Sequence, residues 1–169
     1  TNTLFETQAE LLRYISELQK TKGVSICVVA RMQEGQMITN HEKVFIEKHL
    51  DCEYTYIAND GMFSSYEAML TSRIVINTYS TIALDAMARG IKVLYYDPMK
   101  AFGEKTEPMM WSVKKNKFAE FEKIYQNLLS VSFDEYVESI VYNVQQYNNI
   151  SWERPLYKEL ISCSSYFFT

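Results

Sequence analysis

The sequence predicts an α/β fold, in which a parallel β-sheet of four to six strands carries α-helices on both faces. Two observations lead to this prediction. Short runs of β-branched and apolar residues have the length and pattern of buried strands. Helical patterns lie between these runs, and the connections are short. Strands and helices that alternate in this way are normally joined by right-handed crossovers into a parallel sheet.

The first part of the chain contains two predicted strands. An amphipathic helix over 4–22 ends at Gly23, and 24–30 is a continuous apolar run. A short amphipathic helix follows over 41–51. A second strand over 53–59 then ends in the turn signal Asn-Asp-Gly. Both strands are therefore expected to lead, at their carboxyl ends, through a loop into a helix.

The rest of the chain continues the alternation of strands and helices. Gly90 is expected to end the helix before the fourth strand, and Ser132 to N-cap the last helix. The tyrosines of that last helix are predicted to belong to the core. The predicted elements are helices over 64–72, 81–89, 117–130 and 133–149, and strands over 73–77, 92–97 and 109–113.

The domain organisation follows from these elements. Residues 1–150 are expected to form one domain that contains the sheet. Residues 151–169 are expected to form a C-terminal tail that packs on this domain or on a missing N-terminal lobe, because an aromatic terminus favours a partner surface over water. The chain begins at Thr1 rather than at a methionine, so we expect it to be a piece of a longer protein.

Composition excludes several classes of protein. The net charge of −4 offers no basic face for nucleic acid. No apolar run approaches the ~20 residues of a membrane span. The three cysteines form no pair with metal-ligand or disulfide spacing, so neither a zinc site nor a disulfide framework is expected. The cytoplasm is the expected location.

The stretch from Thr78 to Asp85 is the main candidate binding site. Ligands of parallel sheets bind at the carboxyl ends of strands, where loops lead into helices. Main-chain amides at a helix start attract phosphate, and the Ser80 and Thr81 hydroxyls lie at that point. Asp85 follows Thr81 by four residues and therefore projects from the same side of the helix. Its carboxylate is suited to accept hydrogen bonds from ribose hydroxyls, so the stretch predicts a nucleotide site.

A purely structural interpretation of the same stretch stays open. Serine and threonine are common N-caps, and an aspartate near a helix start is favourable for the helix dipole alone. The sequence contains neither a Walker-type nor a GxGxxG glycine pattern, so it does not predict a P-loop or a dinucleotide-binding site.

Residues 72–97 resemble the donor-binding signature of GT-B glycosyltransferases, in particular bacterial surface-polysaccharide transferases that use CMP-activated Kdo or sialic acid, and polyol-phosphate transferases. Their pattern STxxxEAxxxGxxV is matched here by Ser80-Thr81, Asp85-Ala86, Gly90 and Val93. Two positions differ: Asp85 replaces the commoner glutamate, and Lys92 stands where many members have proline. The resemblance is looser over 24–150 and rests there on the order of strands and helices.

This resemblance implies a Rossmann-like lobe that binds a CMP- or UDP-linked sugar donor and needs no metal or other cofactor. Ser80 and Thr81, with Thr78, would hold the donor phosphate and Asp85 the ribose. The implied partners are a glycan or lipid-linked glycan acceptor and the N-terminal lobe of the same enzyme, which would supply the catalytic base. The full-length protein would associate peripherally with the inner face of the membrane.

Two further groups of candidates follow from the same resemblance. Arg31, at the end of the first predicted strand, would bind a phosphate or a sugar carboxylate. Asn59, Asp60 and Gly61, after the second strand, would read the base. Each of these groups also has an ordinary structural interpretation, as a surface arginine and as a turn. His41, at the start of a predicted helix, is a candidate catalytic residue or, alternatively, a structural or solvated histidine.

Two alternatives to a transferase stay open. UDP-sugar 2-epimerases share this half of the fold, so the chain could be a lobe of an epimerase or hydrolase. It could also be a non-catalytic α/β interaction module, in which residues 78–85 are only a capped helix.

Overall fold

The computed structural model describes residues 3–33, 37–59, 64–78, 82–96, 111–113 and 117–139. The chain divides into two compact units, Thr1–Thr71 and Ser72–Thr169. Each unit combines helices with a parallel sheet, which confirms the α/β class. Within the described residues one sheet has two strands and the other has three. A single sheet of four to six strands, and the division at residue 150, stay predictions. The proposed tail, 151–169, lies outside the described residues.

The first unit contains a two-stranded parallel sheet and three helices. Strands β1 and β2 are in register from Cys27 opposite Thr55 to Val29 opposite Ile57. The elements are α1 (Thr3–Lys22), β1 (Cys27–Gln33), α2 (Met37–His49), β2 (Thr55–Asn59) and α3 (Ser64–Leu70).

Strand β1 begins three residues later than its apolar run predicts. Val24 to Ile26 have the residue types of a strand, but the registered pairs begin only at Cys27, opposite Thr55. A strand is defined by main-chain pairing with a neighbour, so the partner rather than local hydrophobicity sets where it starts. For the same reason β1 continues through polar residues to Gln33, which pairs with Asn59.

The core of the first unit is formed by apolar residues from all three helices and from β1. Helical spacing places Leu11 and Leu18 on one stripe of α1, and Leu18 is almost fully buried. The buried apolar side chains of the unit are those of Ala9, Leu11, Leu18, Ala30, Ile46, Leu50, Ala68 and Met69.

A hydrogen bond and an ion pair connect α1 to the segment that leads into β2. The Ser16 hydroxyl donates to the Leu12 carbonyl (3.0 Å) and accepts from the Asp51 main-chain N–H (2.8 Å). Lys20 lies 2.7 Å from the Asp51 carboxylate. Their mutual hydrogen bond raises the pKa of Lys20 and lowers that of Asp51. This ion pair is exposed to solvent, so the contact acts chiefly to orient the chain.

The second unit contains a three-stranded parallel sheet in the order β3-β4-β5. Val93, Leu94 and Tyr96 of β4 are fully buried, as expected for the central strand, and Phe121 of α5 meets Tyr96 edge-on at 6.0 Å between ring centroids. The elements are β3 (Ile74–Asn77), α4 (Ile82–Ala88), β4 (Lys92–Tyr96), β5 (Trp111–Val113), α5 (Phe118–Ser130) and α6, described over 133–139.

The side chain of Tyr136, on α6, is hydrogen-bonded to the main chain of β4 in the second unit. Its hydroxyl accepts from the Val93 N–H and donates to the Val93 carbonyl, both at 3.1 Å. Strand β5 is in register only with Leu94 to Tyr96, so it begins one residue after Val93. The tyrosine hydroxyl therefore satisfies two main-chain groups of a buried strand residue. Burial also raises the pKa of Tyr136, and the prediction of a core tyrosine in this helix is confirmed.

A capping box starts α6, as the sequence predicts for Ser132. The Ser132 hydroxyl accepts from the Glu135 N–H (3.2 Å), and the Glu135 carboxylate accepts from the Ser132 N–H (2.7 Å). The hydrogen bond that the Glu135 carboxylate accepts from the Ser132 main-chain N–H is the main cause that lowers the pKa of Glu135, and the Ser132 side chain adds to it.

Lys92, one of the two positions that differ from the transferase pattern, has a structural role. Its ammonium group donates to the carbonyl oxygens of Leu128 and Val131, at the C-terminus of α5. A cation at this end satisfies carbonyls that have no partner inside the helix, and it complements the helix dipole.

We expect Lys92→Met to destabilise the second unit by about 1–3 kcal/mol, because two partly buried carbonyls lose a charged donor. Chemical denaturation followed by circular dichroism measures the change. Lys117→Met is the matched control, since Lys117 is exposed and makes no side-chain cap on α5. Equal stability of the two variants would show that the Lys92 contact contributes nothing.

Gly90 ends α4 in a Schellman motif. The Ile91 N–H donates to the Ala86 carbonyl (2.9 Å), and the Gly90 N–H donates to the Met87 carbonyl (3.1 Å). The motif places Gly90 at φ +78°, in the left-handed region that glycine adopts at no steric cost. The chain can therefore turn directly from α4 into β4.

We expect Gly90→Ala to destabilise the chain by about 1–2 kcal/mol, because an L-residue is strained in this conformation. No atom lies within 4 Å of the added Cβ, so the whole effect comes from the backbone. Gly90→Asn should cost less, since asparagine tolerates this region. Thermal unfolding of the three proteins should rank glycine above asparagine above alanine, and an alanine variant as stable as the parent would refute the explanation.

Candidate functional site

The β3–α4–β4 segment carries the predicted nucleotide site. Strands β3 and β4 run parallel with Ile74 opposite Lys92 and Asn77 opposite Tyr95. The loop after Asn77 therefore leaves the carboxyl end of the sheet, as the sequence predicts. Ser80 and Thr81, the proposed phosphate ligands, lie outside the described residues.

Asn77 and Thr78 are the last described residues before this loop. Both are polar and buried, with 9% and 7% of their surfaces exposed. Thr78, which directly follows β3, is therefore packed rather than exposed at the start of the loop. Its role as a phosphate ligand stays a prediction.

Helix α4 presents Asp85 on the side away from its buried face. Ala83 and Ala86 are completely buried, whereas Asp85 is half-buried. The buried pair of α4 is therefore Ala83 and Ala86, and Ile82 is only half-buried. Asp85 lies in the first turn of the helix, where a carboxylate is favourable for the dipole. Thr81, with which Asp85 is predicted to share a side of the helix, lies outside the described residues, so this shared side and the contact of Asp85 with ribose stay predictions.

In the first unit, the structure brings two predicted candidates together. The Asn59 side-chain amide donates to the Arg31 main-chain carbonyl at 2.9 Å. The Arg31 main-chain N–H donates to the Glu42 carboxylate, also at 2.9 Å. The Arg31 side chain is exposed. These three residues form a polar cluster at the carboxyl end of β1 and β2.

The remaining candidates of the first unit have different outcomes. Asp60 and Gly61, expected to complete the turn after β2, lie outside the described residues. His41 does not start its helix, because α2 begins at Met37 rather than at residue 41. It is exposed within α2, and its catalytic role stays a prediction.

Glu42 is the functional candidate that sequence reasoning missed. It lies eleven residues after Arg31 and on a different element, so no local spacing connects the two. The one sequence signal for Glu42 is its position on the helix that follows β1, because that helix starts near the carboxyl end of the strand.

Neither a metal-binding cluster nor a membrane-spanning helix occurs in the described part of the chain. No group of three histidine, cysteine, aspartate or glutamate side chains there is arranged to hold a metal ion. In the same residues no helix has both the length and the apolar character needed to cross a bilayer.

Comparison with known protein families gives a match over most of the chain. Residues 1–119 match a protein family described as "putative O-antigen biosynthesis protein". This range includes the polar cluster of the first unit and the whole β3–α4–β4 segment. Curated proteins and solved structures give no match to the chain. Because the match covers more than half of the sequence, the chain belongs to this O-antigen biosynthesis family.

Proposed function

We propose that the chain is the donor-binding lobe of a GT-B-type glycosyltransferase. In this proposal the enzyme transfers a sugar from a CMP- or UDP-linked donor to a glycan or lipid-linked glycan acceptor. The observation that carries the proposal is the family match, because O-antigen biosynthesis assembles a surface polysaccharide and the match includes the donor-type segment. The parallel β3–β4 pair and the position of Asp85 on α4 support it.

The proposed site uses groups at the carboxyl end of β3 and in the first turn of α4. Main-chain amides and hydroxyls of Ser80 and Thr81, with Thr78, hold the donor phosphate. These hydrogen-bond donors stabilise the negative charge that develops on the departing nucleotide. The Asp85 carboxylate accepts hydrogen bonds from the ribose hydroxyls.

The rest of the proposed reaction depends on the N-terminal lobe of the full-length enzyme. That lobe supplies the general base for the acceptor hydroxyl. With a nucleotide-activated donor and a surface-glycan acceptor, the full-length protein is expected to work in the cytoplasm at the inner face of the membrane. The 169-residue chain alone is expected to bind donor but not to transfer sugar.

A panel of nucleotides tests the proposal. CMP, CDP and UDP are added separately to the chain, and thermal unfolding is measured against AMP and ADP as controls. A ligand at one hundred times its Kd stabilises a protein by about 2.7 kcal/mol. We expect a pyrimidine nucleotide to reach this range and the adenosine nucleotides to do less.

The alternatives predict other outcomes. If no nucleotide raises the unfolding temperature, the proposal of a donor-binding lobe is wrong and a non-catalytic interaction module is favoured. If a UDP-sugar binds but the full-length protein releases an epimerised or hydrolysed sugar without an acceptor, the protein is an epimerase or hydrolase. Product analysis of the full-length protein separates these reactions from transfer.

A further inference from the structure

The main chain leaves the sheet of the second unit directly after Asn77. Asn77 is the last residue of β3, and it lies in register opposite Tyr95 of β4. Strands β4 and β5 continue one residue further, since Tyr96 lies opposite Val113. The loop that contains the proposed phosphate ligands therefore starts at Asn77.

Asn77 is a polar residue at a buried position of an apolar strand. The three residues before it in β3 are isoleucine, valine and isoleucine, and Tyr95 on the neighbouring strand is buried as well. Strands of parallel sheets normally form continuous apolar runs, and asparagine is depleted in strands. A buried carboxamide loses its hydrogen bonds to water and needs replacements inside the fold. An apolar residue would carry no such cost, so stability is a poor explanation for an asparagine here.

Asn77 is fixed in the fold at the point where the loop begins. It takes part in an interaction within the fold, and its neighbour Thr78 is also buried. Asparagine differs from apolar residues in that its side chain hydrogen-bonds main-chain groups about two residues further on, which presets the turn that follows. An asparagine at the last position of a strand can therefore set the direction in which the loop leaves the sheet.

We propose that Asn77 is a positioning residue, whose buried side chain fixes the start of the loop after β3 so that Ser80 and Thr81 meet the phosphate of the activated sugar. Asn77 itself does not contact the donor. This inference rests on the proposed function and deepens it, because it names a residue behind the phosphate ligands that controls how well phosphate is recognised.

The test measures how much phosphate adds to binding. NMR titrations of the 169-residue chain give the Kd of UDP and of uridine, and the Kd of CMP and of cytidine. In each pair the nucleoside Kd is divided by the nucleotide Kd, and the pair with the larger ratio in the parent chain is followed in the variants. Asn77→Leu keeps the branching of the side chain but removes its hydrogen bonds. It should reduce the ratio about tenfold, as for the loss of one hydrogen bond to a charged group, and change the nucleoside Kd little.

Two further variants separate positioning from general loosening. Val75→Ala shortens a half-buried side chain of β3 two residues earlier, on the same face as Asn77. It should lower the unfolding temperature and leave the ratio unchanged. Asn77→Ser should give a ratio between those of the parent and Asn77→Leu, because a hydroxyl makes the same kind of turn bond more weakly. Thermal unfolding shows that each variant is folded, and if Asn77→Leu does not fold, a serine ratio below that of the parent supports the inference.

The outcomes distinguish this inference from the proposed function. The inference is overturned if nucleotides bind but Asn77→Leu and Asn77→Ser keep the ratio of the parent, or if nucleotide and nucleoside are weakened equally. It is also overturned if Val75→Ala lowers the ratio as much as Asn77→Leu, or if serine is no better than leucine. If the parent chain binds no nucleotide, the proposed function fails and the inference fails with it.

Discussion

Tyr136→Phe is expected to destabilise the second unit by about 2–4 kcal/mol. The substitution removes one oxygen atom and leaves the ring in place, so little apolar burial is lost. Without the hydroxyl, both the N–H and the carbonyl of Val93 lose their partner. Val93 and Tyr136 are fully buried, so water has no ready access to replace it. Each unsatisfied buried group then costs about 1–3 kcal/mol.

Two measurements check this prediction. Chemical denaturation gives the change in free energy of unfolding, and hydrogen exchange of the Val93 amide reports directly on the lost bond. Tyr125→Phe is the control, since within the described residues its half-buried hydroxyl makes no hydrogen bond. A Tyr136→Phe variant as stable as the control, with an equally protected Val93 amide, would show that the hydroxyl does not hold this strand.

Asp85→Ala is expected to have the largest effect on ligand binding. In the proposed site its carboxylate accepts hydrogen bonds from ribose hydroxyls, and hydrogen bonds to a charged group contribute about 1.5–3 kcal/mol each. Losing even one of them weakens nucleotide binding by at least about tenfold. The unfolding temperature of the variant should therefore respond little to a nucleotide that stabilises the parent chain.

Matched variants separate binding from folding. Asp85→Glu restores the commoner residue of the resembling transferases and should keep most of the nucleotide response. Asp134→Ala removes an exposed carboxylate from the first turn of α6 and should leave the response unchanged. If Asp85→Ala responds to nucleotide as the parent does, Asp85 does not contact the ribose.

The elements of the fold were largely predictable because their signals are local. Short runs of β-branched, aromatic and other apolar residues predicted every described strand within three residues, and the serine and glutamate of the capping box at Ser132 lie three residues apart. The contacts that hold the elements together were not predictable. Tyr136 and Val93 are 43 residues apart, and Lys92 is 36 residues from Leu128. Nothing in the spacing of such pairs shows that the fold brings them together.

Part of the candidate site was predictable because its signals, like those of the helices and strands, are local in the sequence. Asp85 could be placed on a helix face by counting residues, and the structure puts it on the side away from Ala83 and Ala86. Arg31 and Asn59 were identified separately, as ends of strands. Their hydrogen bond depends on the register of β1 against β2, including a shift that no single-strand pattern reveals.

A crystal structure of the chain with bound CMP or UDP tests the central claim most directly. If the segment binds the donor, a phosphate oxygen should lie about 2.7–3.1 Å from the main-chain nitrogens of Ser80 and Thr81, as for other anion-binding amides. The ribose hydroxyls should then contact Asp85. A nucleotide bound elsewhere, with the loop after Asn77 in contact only with its own side chains, would contradict the assignment of this segment as a donor site.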